Sequence, residues 1–123
     1  MTDLNEVCIS GMILREPSLR KTKTDHDMCS LQVCVKRPEP SKAHDYLDVV
    51  LWEDKAQEFV TRFHAGDRVF LKGRLKKTNY TGLDGVKRVT TQIIAEQAEP
   101  AEYAAQADYP EINAPAVYAE NLA

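Results

Sequence analysis

Tyr46-Leu47-Asp48-Val49-Val50-Leu51-Trp52, followed without a break by Glu53-Asp54-Lys55-Ala56-Gln57-Glu58-Phe59-Val60-Thr61-Arg62-Phe63, changes its hydrophobic period in mid-stretch. Up to Trp52 the period is two: Leu47, Val49 and Leu51 fall on one face, and Tyr46, Asp48, Val50 and Trp52 on the other. Such alternation is the mark of a half-buried strand. From Ala56 the spacing becomes i, i+3, i+4, i+7, with Ala56, Phe59, Val60 and Phe63 forming one helical stripe. Asp54 is the expected N-cap of this helix and Gly66 its expected stop.

Outward from this stretch the period of two returns in every segment. Val7–Leu14 is apolar on both faces and has Gly11 inside it, a sign of a bend or of close backbone approach. Met28–Lys36 places Leu31, Val33 and Val35 opposite Gln32, Cys34 and Lys36. Arg68–Lys77 alternates Val69, Leu71 and Leu75 with Phe70, Lys72, Arg74 and Lys76. Arg88–Glu96 alternates Val89, Thr91, Ile93 and Ala95 with Thr90, Gln92 and Ile94. The connections 15–27, 37–45 and 78–87 are long, polar or rich in Pro and Gly. Five strands with one helix between the third and the fourth predict an all-β five-stranded OB-fold, a small Greek-key barrel, over residues 1–97.

Beyond Gln97 the composition changes. Residues 97–123 hold nine alanines, three prolines and five acids, with no base and no apolar periodicity. Such a segment buries too little surface to offset its ordering entropy, so a disordered acidic tail is expected over 98–123. The charge divides at the same place. Residues 1–96 carry all 16 Lys and Arg against 14 Asp and Glu, so the net charge of −3 arises from the tail. A weakly basic body points to an anionic ligand.

Several classes of function are set aside. No apolar run approaches the ~18 residues of a membrane span, and the N-terminal residues lack the pattern of a secretory signal. Cys8, Cys29 and Cys34 form no Cys-x-x-Cys pair, and His26, His44 and His64 are scattered, so no metal or other cofactor is expected and the thiols read as free in a reducing cytoplasm. Neither a nucleophile motif nor a glycine-rich phosphate loop occurs, which argues against an enzyme.

With the odd-numbered residues pointing inward, the outer face displays Tyr46, Trp52, Phe70, Lys72, Arg74 and Lys76. Aromatic side chains interleaved with cations are what a single-stranded nucleic acid requires: bases stack on the rings and phosphates follow the positive groove. Tyr80 belongs with them. It is read as the tip of a loop bounded by Lys77 on one side and Lys87 and Arg88 on the other, with no core to fill. On pattern alone Tyr46 and Trp52 fit packing and stacking equally well.

These segments together resemble the bacterial and phage single-stranded DNA-binding proteins, from Asn5 to about Glu96. Asn5-Glu6-Val7-Cys8-Ile9-Ser10-Gly11-Met12-Ile13-Leu14 resembles the family's opening strand, and Glu16-Pro17-Ser18-Leu19-Arg20 the turn after it. Asp48-Val49-Val50-Leu51-Trp52 with the helix that follows, Gly66-Asp67-Arg68-Val69-Phe70-Leu71-Lys72-Gly73-Arg74-Leu75, and Tyr80 with Asp84-Gly85 resemble the later blocks in the same order. The resemblance implies that Tyr46, Trp52 and Tyr80 stack bases, and that Arg15, Arg20, Lys72, Arg74, Lys76, Lys77, Lys87 and Arg88 contact phosphate.

It further implies a non-catalytic, sequence-independent protector of single-stranded DNA in replication, recombination and repair. That protein would be a cytoplasmic, nucleoid-associated homotetramer in a bacterial cell. Replication and repair proteins are implied as tail partners, but the sequence closes on Asn121-Leu122-Ala123 and not on the family's acidic Pro-Phe tip, so recruitment through the tail is expected to be weakened or altered. Two other uses of the fold fit the residues: a primosome-type protein–protein module with weak nucleic-acid binding, and an RNA-binding OB-fold. Stacking and phosphate contact serve RNA equally, since only a 2′-OH contact separates the two.

Overall fold

The computed structural model of the chain describes residues 2–101. In chain order the elements are β1 (Val7–Ile13), β2 (Arg20–Lys21), β3 (Asp27–Lys36), β4 (His44–Trp52), α1 (Glu53–Arg62), β5 (Arg68–Thr81) and β6 (Lys87–Pro100). The strands lie in the order β1-β5-β6-β4-β3-β2, and β1 also pairs with β3, which closes the sheet into a barrel. All five expected strands are present, with the helix in its expected place. The short strand β2 is an addition: it lies within the connection read as loop and pairs Arg20 with Met28 and Lys21 with Asp27. The expected tail lies outside the described residues from 102 onward, while residues 98–100 form the end of β6.

The core follows the period-two pattern. Leu31, Val33, Val49, Leu51, Val69, Leu71, Ile93 and Ala95 are buried together inside the barrel. Helix α1 closes one end by contributing Ala56 and Phe59, with Phe63 directly after it; the Phe59 and Phe63 rings stack with centroids 4.7 Å apart. Gly11 is a site of close approach, as its position implied: a Cβ there would overlap the Cys34 carbonyl oxygen, where β1 passes from β5 to β3.

The helix ends differ from expectation. Trp52, not Asp54, occupies the N-cap position and makes no side-chain cap; Glu53 and Asp54 are the acids of the first turn. The strand runs straight into the helix, leaving no loop residue to cap it. At the other end the cap is Phe63, with extended backbone, and Gly66 sits in the turn beyond.

That turn is tied to the β1–β2 connection. Glu16 accepts the Ala65 N–H at 3.0 Å, and its other oxygen lies 2.8 Å from His64 Nδ1; Asp67 accepts the His64 N–H at 2.7 Å. The Ala65 N–H and then His64 hold the Glu16 carboxyl below the usual carboxylate range. Glu16 in turn raises His64 above its ordinary value. The signs are opposite. The His64 contribution to stability is full below the ordinary histidine pKa and is lost as pH rises through the raised folded value. The Glu16 contribution is full above the ordinary carboxylate pKa and is lost as pH falls through the lowered folded value. Wild-type protein is therefore expected to lose a small increment of stability between about pH 6 and pH 8, an increment that His64→Ala removes. Urea midpoints at the two pH values measure it; equal pH dependence in both proteins refutes the tie.

Candidate nucleic-acid interface

Residues directly opposite on neighbouring strands face the same way, so the register fixes what shares the outer face. Ser30 opposes Val50, Val50 pairs with Ile94, and Ile94 opposes Arg74, giving one row across β3, β4, β6 and β5. Val50 and Ile94 are buried, although the alternation placed them outward, and they belong to neither apolar cluster of the protein. They form an apolar floor at the middle of the outer wall.

From this row the face continues in two directions. Towards the ends of the β5–β6 hairpin, Lys76 opposes Gln92, Thr78 opposes Thr90 and Tyr80 opposes Arg88. Tyr46 lies in the same direction on β4, opposite Cys34. The other way, Trp52 opposes Met28, which opposes Arg20, and Lys72 lies beyond Arg74 opposite Cys8. Tyr46 and Trp52 therefore stand at the two ends of β4, about 20 Å apart along the strand, with Asp48 between them on the same face. The structure does not bring those two rings together.

Tyr80 is not a loop tip. Strand β5 runs to Thr81 and β6 starts at Lys87, so Tyr80 is part of a two-stranded ribbon that leaves the barrel. The turn between them is 82–86, closed by the Gly82 N–H to the Val86 carbonyl at 2.9 Å. Thr78, Thr81, Val89 and Thr90 are β-branched, which favours extension of both strands. Tyr80 is 48% exposed and Tyr46 39%, and Trp52 is half-buried. Leaving the barrel also exposes the ribbon's other face: Leu75 at 47% and Val89 at 55%, both expected inside, have no core beneath them among the described residues.

The ribbon divides the cations. Arg74, Lys76 and Arg88 share the outer face with Tyr80, whereas Lys77 opposes Thr91 and Lys87 opposes Thr81 on the reverse face with Leu75 and Val89. Among the described residues Arg74, Lys76, Lys77 and Lys87 enter no ion pair. Lys72 is 2.9 Å from Glu6, which raises its pKa, and Arg88 is 2.8 Å from Asp84. Arg15 is exposed in the β1–β2 connection, off the strands, beside Glu16. Phe70, 39% exposed, is opposite Ser10 and Glu99. Cys34, expected on the outer face, is on that side of the sheet but is buried against Met12 and Leu14. Burial raises its thiol pKa and that of Cys29.

Sequence reading missed Asn5 as a structural part of this region. Its side-chain amide donates to the Leu75 carbonyl at 2.8 Å and its oxygen accepts the Leu75 N–H at 2.9 Å, so it extends the β1–β5 ladder to the root of the ribbon. The only signal was an amide residue just before the first strand. Among the described residues no His, Cys, Asp or Glu cluster is arranged to hold a metal, and no helix is long and apolar enough to cross a membrane.

A closed Greek-key barrel with one capping helix and a ribbon running off the fourth long strand places the protein in the OB-fold class. Within it the chain belongs to the single-strand binding protein family, whose sequence pattern matches residues 4–101. A single-stranded DNA-binding protein of Deinococcus radiodurans is 32% identical over 103 residues, covering 78% of this chain and 34% of its own length. One from Oceanobacillus iheyensis is 26% identical over 100 residues, 78% of this chain and 62% of its own. Single-stranded DNA-binding protein 3 of Clostridium acetobutylicum is 26% identical over 104 residues, 81% of this chain and 72% of its own. The chain thus spans about a third of the first of these relatives and under two thirds of the second.

Proposed function

We propose that the chain binds single-stranded DNA without sequence preference and without catalysis, protecting it during replication, recombination and repair. The observation that carries this reading is the continuity of the outer face. Tyr80, Lys76 and Arg74 lead along the ribbon to the Val50–Ile94 floor and on to Trp52, Met28 and Arg20. Bases stack on Tyr80 and Trp52, and on Tyr46 at the margin; phosphates meet Arg74 and Lys76, which enter no ion pair among the described residues. Lys72 and Arg88 join by exchanging an exposed carboxylate for a phosphate, and an exposed ion pair opposes that exchange by only about 0–1 kcal/mol. The family resemblance implies that the active form is a homo-oligomer, a tetramer in this reading, around which the DNA passes. Family membership supports the same ligand, since the relatives are named for it.

Trp52 is the sole tryptophan, which gives the test. Oligo-dT is titrated against the full chain at several salt concentrations, with oligo-rU and duplex DNA alongside. The expected result is quenching by oligo-dT, absent with duplex, with log K falling against log salt by about 0.7 for each phosphate neutralised. Equal affinity for oligo-rU moves the reading to a general single-strand binder. No binding at low salt overturns it and leaves a protein–protein module.

A further inference from the structure

Trp52 stands at the corner where β4 becomes α1, and the residue after it has an unusual backbone. Glu53 has φ 54°, in the left-handed region. Residues with a Cβ seldom adopt it, and Asn, Asp and His are those enriched there. A conformation of this kind persists only where the surroundings over-determine it. Here its own side chain supplies the hold. Glu53 Oε1 accepts the Asp27 N–H at 2.8 Å and lies 3.4 Å from His26 Nδ1. Asp27 is itself fixed: its carboxylate takes Lys21 Nζ at 2.9 Å and the Gln57 side-chain amide. The next residue, Met28, is the cross-strand partner of Trp52. The carboxylate of Glu53 therefore bridges from the corner to the strand start beside the tryptophan's own neighbour. Trp52 has no side-chain cap of its own to set the corner.

We infer that Glu53 is a positioning residue for Trp52: its bond to the Asp27 N–H locks the left-handed corner and so fixes the angle at which the indole faces the groove. In its effect on DNA the inference rests on the function proposed above; in its effect on the indole it does not.

The full chain is compared with Glu53→Gly, Glu53→Asn and Glu53→Gln. Gly and Asn accept the left-handed backbone; Gly has no acceptor for the Asp27 N–H, and the Asn side chain is one methylene shorter than that of Glu53. Gln keeps an acceptor at the same reach. Trp52 emission and anisotropy are read in free protein, and oligo-dT affinity is read by anisotropy of a labelled strand, with circular dichroism to confirm the fold. In Glu53→Gly and Glu53→Asn the expected result is a shifted emission, a lower Trp52 anisotropy and roughly tenfold weaker oligo-dT binding, about the loss of part of one stacked base. Glu53→Gln is expected to restore all three. Wild-type emission and anisotropy in the Gly and Asn variants overturn the inference, as does a Gln variant that behaves like Gly. Should wild-type protein bind no oligo-dT, the proposed function falls, while the free-protein spectra still decide the role of Glu53. If Glu53→Gly fails to fold, the Asn and Gln pair decides it.

Discussion

A Gly73→Ala variant is expected to lose about 3 kcal/mol of stability or more, the upper range for forcing a methyl into a filled interior. A Cβ at position 73 would overlap the Ile94 carbonyl oxygen and lie 2.8 Å from its carbonyl carbon and 2.9 Å from Ala95 Cα. All three are backbone atoms, so no rotamer change relieves the clash; β5 and β6 must part. The site is also where their pairing is irregular, with the register shifting between Lys72 and Gly73. Gly85→Ala is the control. Gly85 has φ 78°, but a Cβ there would meet nothing within 4 Å, so the change incurs only the left-handed penalty of about 1–2 kcal/mol. Urea midpoints of the two variants should rank in that order. An equal loss would mean that the close approach of β5 and β6 at Gly73 is not what constrains the position.

The Gly73 site also shows where sequence reading stops. Alternation through Val69, Leu71, Ile93 and Ala95 was legible because each sits over a common core, where burying one face enforces a period of two. Alternation also marked Leu75 and Val89 as inward, and both are exposed. The residues carry the same signal; what differs is that the partner layer ends. Whether a strand still has a core beneath it depends on the length of the other strands, which no local pattern records. Val50 and Cys34 fail in the opposite sense, since a small apolar residue on an outer face is buried once its cross-strand neighbours cover it. The helix stripe was legible, but its cap was not, because the chain passes from strand to helix at Trp52 with no intervening residue. For the candidate site, residue types could be read from sequence, but their grouping could not. The division of Lys77 and Lys87 from Arg74 and Lys76 follows from the extension of β5 to Thr81 and the start of β6 at Lys87.

That division makes the last expected result a comparison of faces. On the proposed reading, Arg74→Gln with Lys76→Gln removes two phosphate contacts from the groove, and the salt slope should fall by about 1.4, two contacts at about 0.7 each. Tyr80→Ala on the same face should weaken oligo-dT binding by about 1–3 kcal/mol, roughly 5- to 150-fold, with little change in slope, because stacking releases no counterions. Lys77→Gln with Lys87→Gln removes the same formal charge from the ribbon but from its reverse face. If the strand follows one face, this pair shifts affinity slightly through the general field and leaves the slope nearly unchanged. The two double variants have equal net charge, so a purely electrostatic surface would treat them alike. Equal slopes would place DNA on both faces of the ribbon, and the exposed Leu75 and Val89 would then belong to the interface as well. Unequal slopes, with the outer face dominant, would establish that strand register, and not charge content, selects the path of the nucleic acid.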